Sequence, residues 1–134
     1  MTFTGAELDY LRSQRLGRLA TAQPNGTLQA SPVGFTVNEE LGTIDIGGFN
    51  MDSSQKYRNV AANGQAAFVV DDVVSVDPWV VRGLEVRGTA EALPAGNGHR
   101  GAIIRIHPRR IIGWGLGADG RQGSRRTVGA GAAS

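Results

Sequence analysis

Residues 16–37 read LGRLATAQPNGTLQASPVGFTV, and this stretch decides the predicted fold. Leu16 to Thr21 alternates in polarity and predicts one strand, and Thr27 to Val37 predicts a second. Between them lies Asn25-Gly26, the dipeptide that most strongly favours a tight hairpin. Pro32 has no backbone N–H, so the second strand is expected at an edge or at a bulge of the sheet. The stretch therefore predicts two antiparallel strands.

The rest of the chain continues this pattern of short strands joined by turns. Two helices are predicted, Glu7 to about Gln14 after a capping box at Thr4, and Ser53 or Ser54 to about Ala62. Four more strands are predicted: Thr43–Gly47, Gln65–Val70 ended by Asp71-Asp72, residues 79–93 broken at Gly83 and Gly88, and Ala102–Trp114 broken at Pro108. Because the connections are short, we expect a mainly β fold whose antiparallel sheet curls into a barrel.

The composition excludes several classes of protein. The chain has 134 residues, the size of one domain, and no cysteine for disulfide or thiolate chemistry. No apolar run is long enough to span a bilayer and no signal pattern begins the chain, which predicts a cytoplasmic protein without membrane contact. His99 and His107 form no metal-ligand pattern, and no G-x-S-x-G motif indicates a hydrolase. An enzyme built this way would take its chemistry from a bound cofactor.

Charge divides the chain unevenly. Residues 1–92 carry seven basic and eleven acidic residues, whereas residues 93–134 carry seven arginines and one acid, Asp119. This basic end fits an anionic partner, and it equally fits a solvated tail. No nucleic-acid partner is expected, because aromatic residues are not interleaved with the arginines. We assign residues 1–117 to one domain and residues 118–134 to a Gly-, Arg- and Ala-rich C-terminal segment compatible with partial order.

Residues 49–59, FNMDSSQKYRN, hold the most informative polar side chains. A helix is predicted to begin at Ser53 or Ser54, and the free N–H groups and dipole of such a helix start attract anions. Lys56, the only lysine of the chain, adds a cation, and Arg58 can hold a phosphate through two parallel hydrogen bonds. An ordinary capped surface helix has the same local pattern, so both interpretations remain open at this point.

Two further candidates lie in the last predicted strands. Arg82 and Arg87 are five positions apart, so they point to opposite faces of an unbroken strand and one of them can face a ligand. Trp79 and Trp114 are large enough to stack on a ring system or to close a subunit interface. Packing in the core is the alternative for both tryptophans.

Four blocks of the chain, taken together, resemble the pyridoxamine 5′-phosphate oxidase-like split β-barrel family. They are LGRLATAQPNGTLQASPVGF (16–35), SSQKYRNVAANGQAAFVVDDV (53–73), VRGLEVRGTAEAL (81–93) and HPRRIIGWG (107–115). Within the family they are most similar to the branch of probable oxidoreductases that use the deazaflavin coenzyme F420. The resemblance implies a six-stranded antiparallel split β-barrel of the FMN-binding type with short flanking helices. It also implies a homodimer with two cofactor sites at the subunit interface.

The resemblance further implies which residues bind the cofactor. Residues Ser31 to Phe35 would run beside the ring, Ser54, Lys56 and Asn59 would bind the phosphate with Arg58, and Trp114 would approach from the partner subunit. The predicted set contains no catalytic side chain and no metal ligand; it consists of Ser31, Pro32, Val33, Gly34, Ser53, Ser54, Lys56, Arg58, Asn59, Arg82 and Trp114. Many relatives have Arg directly before the lysine, where this chain has Gln55. That exchange either weakens cofactor binding or leaves the work to Arg58.

The resemblance implies an oxidoreductase in which reduced coenzyme F420 gives a hydride to a small unsaturated or quinone-like organic substrate. An FMN-dependent oxidoreductase on the same fold is one alternative. A protein that binds or sequesters the cofactor without turnover is the other. The arginines of the C-terminal third suit a cofactor tail with a phosphate and carboxylates, so Arg109, Arg110, Arg125 and Arg126 are candidates to contact that tail.

Overall fold

The computed structural model describes residues 2–96, 98–117 and 123–129. In these ranges the chain forms two α-helices and eight strands, with a short 3-10 turn, Met51–Ser53, before the second helix. In chain order they are α1 (Gly5–Ser13), β1 (Leu16–Ala22), β2 (Leu28–Gly34), β3 (Thr36–Asn38), β4 (Thr43–Ile46), α2 (Gln55–Asn63), β5 (Gln65–Ser75), β6 (Val80–Leu93), β7 (Ile103–Trp114) and β8 (Ser124–Thr127).

The strands form one antiparallel sheet in the order β2-β1-β5-β6-β7-β4-β3, and β8 pairs with β7. The two ends of this order, β2 and β3, follow one another in the chain and are separated by a single residue, Phe35. One bent segment thus joins both ends of the sheet order and curls the sheet into a barrel. The predicted mainly β, antiparallel fold with short helices is confirmed.

The expected number of six strands is wrong, and the bend at Phe35 is one cause. It divides the predicted strand Thr27–Val37 into β2 and β3. The Phe35 ring meets the ring of Phe68 edge-on, with centroids 5.0 Å apart, and so packs against the core. Pro32, which lacks the N–H for a ladder bond, lies on β2, and among the described strands β2 pairs with β1 alone. The predicted edge position is therefore confirmed.

The second additional strand, β8, comes from the part of the chain that shows no periodicity. Arg126 on β8 donates both terminal nitrogens to the two carboxylate oxygens of Glu7, each at 2.6 Å. Glu7 is only 3% exposed, and it also completes the predicted capping box with Thr4 at the start of α1. Since the order of β8 depends on a contact 119 positions away in the sequence, local pattern could not reveal it.

The predicted end of a strand at Asp71-Asp72 is also wrong, because β5 continues to Ser75. Both carboxylates find arginine partners on neighbouring strands. Arg18 lies 2.9 Å from Asp71, and the Arg82 Nε lies 2.8 Å from Asp72. These cross-strand ion pairs let two adjacent acids occupy a strand that their own propensity disfavours.

The breaks predicted at Gly83, Gly88 and Pro108 are absent from the described strands, since β6 and β7 run through all three positions. A bulge in the pairing of β6 with β7 follows Arg87 and accommodates Pro108. Gly88 is required there, because a Cβ atom at this position would lie 2.0 Å from the carbonyl oxygen of His107.

The barrel has two ends that differ in what covers them. At one end, here called the α2 end, Asn63 donates to the carbonyl of Ala22 at 2.7 Å and Ala90 donates to the carbonyl of Gly64 at 2.9 Å. At the other, here called the hairpin end, the β5–β6 hairpin projects from the sheet. The interior between them is apolar, and no helix in the described ranges is long and apolar enough to cross a membrane.

Candidate functional site

The start of α2 places four predicted polar residues together. The Ser54 hydroxyl caps the helix by accepting the N–H of Tyr57 at 3.3 Å, and the Ser53 hydroxyl donates to the carbonyl of Asn50 at 2.9 Å. Lys56 follows in the first turn with a partly exposed side chain. The first N–H groups of a helix have no partner inside it, so this turn presents donors and a cation on one surface.

Arg58 is folded back over the same turn. Its two terminal nitrogens donate to the carbonyl of Ser53 at 2.6 Å and to the side-chain oxygen of Gln55 at 3.0 Å. Both acceptors are neutral, so neither of them compensates the charge of the guanidinium. Gln55 therefore orients a cation here, a contact that the sequence does not show.

Asn59 lies deeper than the other predicted residues and is fully buried. Its side-chain nitrogen donates to the hydroxyl of Thr21 at 3.0 Å and to the side-chain oxygen of Gln29 at 3.4 Å, and its oxygen accepts from Gln55 at 2.7 Å. These bonds fix α2 on β1 and β2. In this arrangement Asn59 positions the helix start and Gln55, whereas Lys56 and Arg58 remain at the surface.

The four predicted ring-binding residues lie along β2, which runs from the α2 end towards the hairpin end. Val33 points into the core, and Pro32 and Gly34 are exposed on the outer face. The Ser31 hydroxyl is buried and has no hydrogen-bond partner within the described part of the chain. A buried polar atom without a partner costs free energy. Because side chains alternate along a strand, Ser31 faces the same side of β2 as Val33, and a flavin-type ring would satisfy its hydroxyl only from that side.

Arg82 is placed differently from the other predicted residues. It lies at the hairpin end, where Nε and a terminal nitrogen donate to the two carboxylate oxygens of Asp72 at 2.8 and 3.3 Å. Its guanidinium also lies over the ring of Tyr10, 5.0 Å from the centroid. The Tyr10 hydroxyl completes the cluster by donating to Asp72 at 2.9 Å. The charge of Arg82 is thus compensated within its own chain.

The electrostatics of this cluster follow from its contacts. The hydrogen bonds from Arg82 hold the pKa of Asp72 below its ordinary value, against an opposing effect of burial and with further help from Tyr10. Burial, followed by the hydrogen bond to Asp72, raises the pKa of Tyr10. Tyr10 therefore stays protonated and Asp72 ionised at neutral pH, which favours a permanent ion pair at the base of the hairpin.

Trp114 also lies at the hairpin end. It pairs with Gly83 across β6–β7, and a Cβ atom on Gly83 would lie 2.4 Å from its ring, so the indole covers the glycine. Three strands, β6, β5 and β1, separate β7 from β2 in the sheet order. Trp114 and Arg82 thus lie at the hairpin end, and among the described residues no hydrogen bond or ion pair joins either of them to Lys56.

The sequence analysis missed a groove on the outer face of the sheet near the α2 end. Its cavity measures about 490 Å³. Its floor consists mainly of small residues, and the guanidinium-bearing side chains of Arg87 and Arg109 lie along it. The pairing register of β6 with β7 leaves Arg109 at the bulge, which sets the direction of its side chain. We call it the alanine groove; it is lined by Ala20, Thr21, Ala22, Leu28, Gln65, Ala66, Ala67, Arg87, Gly88, Thr89 and Arg109.

These features together can bind a ligand with an anionic end and a flat ring. Within residues 2–96, 98–117 and 123–129, no group of three His, Cys, Asp or Glu side chains is arranged to hold a metal ion.

Comparison with known proteins relates the chain to named oxidoreductases. A family model described as "Pyridoxamine 5'-phosphate oxidase" matches residues 3–131. A curated relative, the 5a,11a-dehydrotetracycline/5a,11a-dehydrooxytetracycline reductase of Streptomyces rimosus, is 51% identical over 124 residues, which are 89% of this chain and 87% of the relative. Because a relative this similar is a named reductase, the expected class of oxidoreductase is confirmed.

Two solved structures have a similar fold. The FAD binding protein from Mycobacterium smegmatis is 26% identical with a TM-score of 0.61, and the match covers 83% of this chain and 93% of that one. An F420 reductase is 27% identical with a TM-score of 0.56, over 72% of this chain and 88% of that one. Since the family model spans nearly the whole chain, the resemblance found in the sequence is confirmed: this chain belongs to the pyridoxamine 5′-phosphate oxidase family.

Proposed function

We propose that the protein is a reductase that binds coenzyme F420 and reduces a polycyclic, unsaturated organic substrate of the dehydrotetracycline type. The observation that carries the proposal is that the start of α2 bears two cations, Lys56 in its first turn and an Arg58 guanidinium that folds back over this turn onto neutral acceptors. An uncompensated pair of this kind suits a phosphate. The 51% identity to a reductase of 5a,11a-dehydrotetracycline supports the substrate class.

The reaction needs two electrons and two protons in all. When bound, reduced F420 supplies a hydride to one carbon of a substrate C=C bond, and a proton from water or a side chain completes the other carbon. The chain's own part is to fix the phosphate at Lys56 and Arg58 and to set the ring along Ser31–Gly34. Holding donor and acceptor in this way accounts for much of the expected acceleration.

We further propose that the site forms between two copies of the chain. Trp114 and the α2 start lie on different parts of one molecule, and a two-fold dimer can bring one copy's α2 end to the other's hairpin end. The outer face of the sheet suits such an interface, because it exposes small and apolar residues such as Ala30, Pro32 and Leu28.

Mixing two inactive variants tests this arrangement. If Lys56→Ala and Trp114→Ala each abolish turnover, exchanging subunits between them creates dimers with one intact site. Recovery should approach about a quarter of wild-type activity, since half the dimers are mixed and each has one good site. No recovery after verified subunit exchange would place both residues in the same chain's site and overturn the shared interface.

The alanine groove favours F420 over FMN. The two cofactors have a related ring and a phosphate, but F420 also carries an acidic tail. Arg87 and Arg109 beside a floor of small residues provide room and positive charge for such a tail. Of the other candidates, Arg126 is bound to Glu7, whereas Arg110 and Arg125 are on β7 and β8 at the outer face.

Titration separates the candidates directly. We expect F420 to bind with a change in its own fluorescence, and Arg109→Ala to weaken F420 at least fivefold while leaving FMN unaffected. Turnover of 5a,11a-dehydrotetracycline with reduced F420 then tests the substrate. Tight FMN binding without F420 binding would replace the proposal with an FMN-dependent enzyme. Binding of F420 without turnover of any unsaturated substrate would favour a cofactor carrier.

A further inference from the structure

The tip of the β5–β6 hairpin exposes large apolar side chains. Trp79 is 66% exposed and Val76 is 75% exposed, and Val73 and Val74 are also open to solvent. Four exposed large apolar side chains within seven residues make this tip strongly apolar, and such surfaces of a protein commonly contact another molecule. In the described part of the chain, the hairpin tip is the longest such cluster of exposed large hydrophobic residues.

The base of this hairpin is fixed. Arg82 bridges to Asp72 across the two strands, and Tyr10 from α1 binds both the carboxylate and the face of the guanidinium. Arg18 on β1 adds an ion pair to Asp71 at 2.9 Å. A projecting hairpin on such a base presents its tip in a defined position, as a preorganised binding surface requires.

The hairpin is continuous with the second half of the proposed site. Val73 and Val81 form a cross-strand pair two residues beyond Asp71 and Gly83, on the same outer face as Trp114. If Trp114 approaches the partner's cofactor, as proposed above, the hairpin continues beyond Trp114 along the same face of the sheet.

We infer that the hairpin tip is the apolar wall of the substrate site, and that Trp79 stacks on a fused-ring substrate held over the partner subunit's cofactor. This inference rests on the proposed function. The chemistry fits a polycyclic ligand, because residues 73–81 contain one charged side chain, Asp77, and one hydroxyl, Ser75, and otherwise present valines, a proline and an indole. Flat rings gain from stacking on tryptophan beyond the area they bury.

The test compares Trp79→Ala with Trp79→Phe in the full-length protein, using reduced F420 and 5a,11a-dehydrotetracycline. We expect KM for the substrate to rise about tenfold in the alanine variant and about twofold in the phenylalanine variant, since a smaller ring keeps part of the stacking. The affinity for F420 and the sedimentation behaviour should not change. Leu41→Ala, an exposed apolar residue in the β3–β4 turn, is the matched control and should leave KM unchanged.

A second readout follows from the chain's two tryptophans. Tetracycline added to the wild type should quench indole fluorescence, and Trp79→Phe should remove most of that quenching. A normal KM in Trp79→Ala overturns the inference and leaves the proposed function intact. A change of oligomeric state makes the tip an interface segment and also overturns it. Failure of the wild type to bind tetracycline or to reduce the dehydrotetracycline overturns the substrate class and the inference with it.

Discussion

Arginine has different partners at the two ends of the barrel. At the α2 end, Arg58 donates to a backbone carbonyl and to Gln55, both neutral. At the hairpin end, Arg82 donates to the carboxylate of Asp72 through two nitrogens. A neutral acceptor fixes the direction of a guanidinium without cancelling its charge, whereas a carboxylate does both. The α2 end is therefore suited to an anion, and the hairpin end is a structural clamp.

Both arginines belong to the predicted cofactor-binding set, but their different partners indicate different roles. For Arg58 we propose direct binding of the phosphate. For Arg82 we propose that it positions the hairpin, since Asp72 and Tyr10 already occupy its polar edge and its face.

Removing the charge of Lys56 should have the largest effect at the α2 end. We expect Lys56→Ala to raise the Kd for F420 by about 50-fold, because charge-assisted bonds to a phosphate are the strong ones. The free energy of unfolding should change by less than about 0.5 kcal/mol, since the side chain is at the surface. Fluorescence titration and urea unfolding measure the two quantities. Arg100→Ala, an exposed arginine in the β6–β7 connection, is the control for loss of a cation.

Converting Gln55 to a carboxylate should make the α2 end resemble the hairpin end. Gln55→Glu keeps the acceptor for Arg58 but compensates its charge, so we expect the Kd for F420 to rise about 20-fold. Stability should fall by about 1 kcal/mol, because Glu cannot donate the hydrogen bond that Gln55 gives to buried Asn59, and an acid in the first turn of the helix offsets only part of that loss. Gln55→Ala removes that bond and the orientation of Arg58 without adding a negative charge, and about a threefold loss of F420 affinity is expected. Equal effects of Glu and Ala would show that compensation of charge is not the deciding property.

The opposite result is expected at the hairpin end. Arg82→Ala removes an ion pair and a cation–π contact, and it should lower the free energy of unfolding by about 1–2 kcal/mol. The Kd for F420 should change by less than about threefold, because the guanidinium does not face the phosphate. Arg82→Lys retains a cation but cannot donate two hydrogen bonds to one carboxylate, so its free energy of unfolding should lie between those of the wild type and Arg82→Ala. A loss of F420 affinity as large as that of Lys56→Ala would show that Arg82 binds the cofactor and contradict its positioning role.

Local signals predicted much of the fold. The Asn25-Gly26 turn, the Thr4–Glu7 capping box and the edge position of Pro32 depend on neighbours within a few residues, so the sequence reveals them. The extension of β5 past Asp71 and Asp72 depends on arginines up to 53 positions away, and local pattern does not show them. β8 depends in the same way on the distant contact of Arg126 with Glu7.

In the candidate site too, some features depend on neighbours in the sequence and others on distant contacts. That Ser54 caps α2 and that the helix carries Lys56 and Arg58 follows from capping chemistry and local spacing. The contact between Gln55 and Arg58, and the burial of Asn59 against Thr21 and Gln29, require the folded sheet. Arg87 and Arg109 come to one groove only through the pairing of β6 with β7.

The smallest expected effect is a pH dependence of stability that comes from the ion pair at the hairpin end. The pKa of Asp72 is held below its ordinary value of 3.8 in the folded protein, chiefly by the hydrogen bonds from Arg82. A depressed folded pKa gives stability that is fully present above the unfolded pKa and is lost as the pH falls below it. We expect Asp72→Asn to be less stable than the wild type by about 0.5–1 kcal/mol above roughly pH 5.

That difference should shrink towards zero as the pH falls below the ordinary carboxyl value, because the wild-type Asp72 then takes up a proton. Glu7 and Asp45 also have lowered pKa values: burial acts to raise them, but the arginine partners Arg126 and Arg105 together with the neighbouring hydrogen bonds outweigh it, and both groups remain in the variant. Comparing urea unfolding of the two proteins at each pH therefore isolates Asp72. A difference that persists unchanged in acid would mean that the ion pair does not stabilise the hairpin, and the contrast between Arg58 and Arg82 would then rest on binding alone.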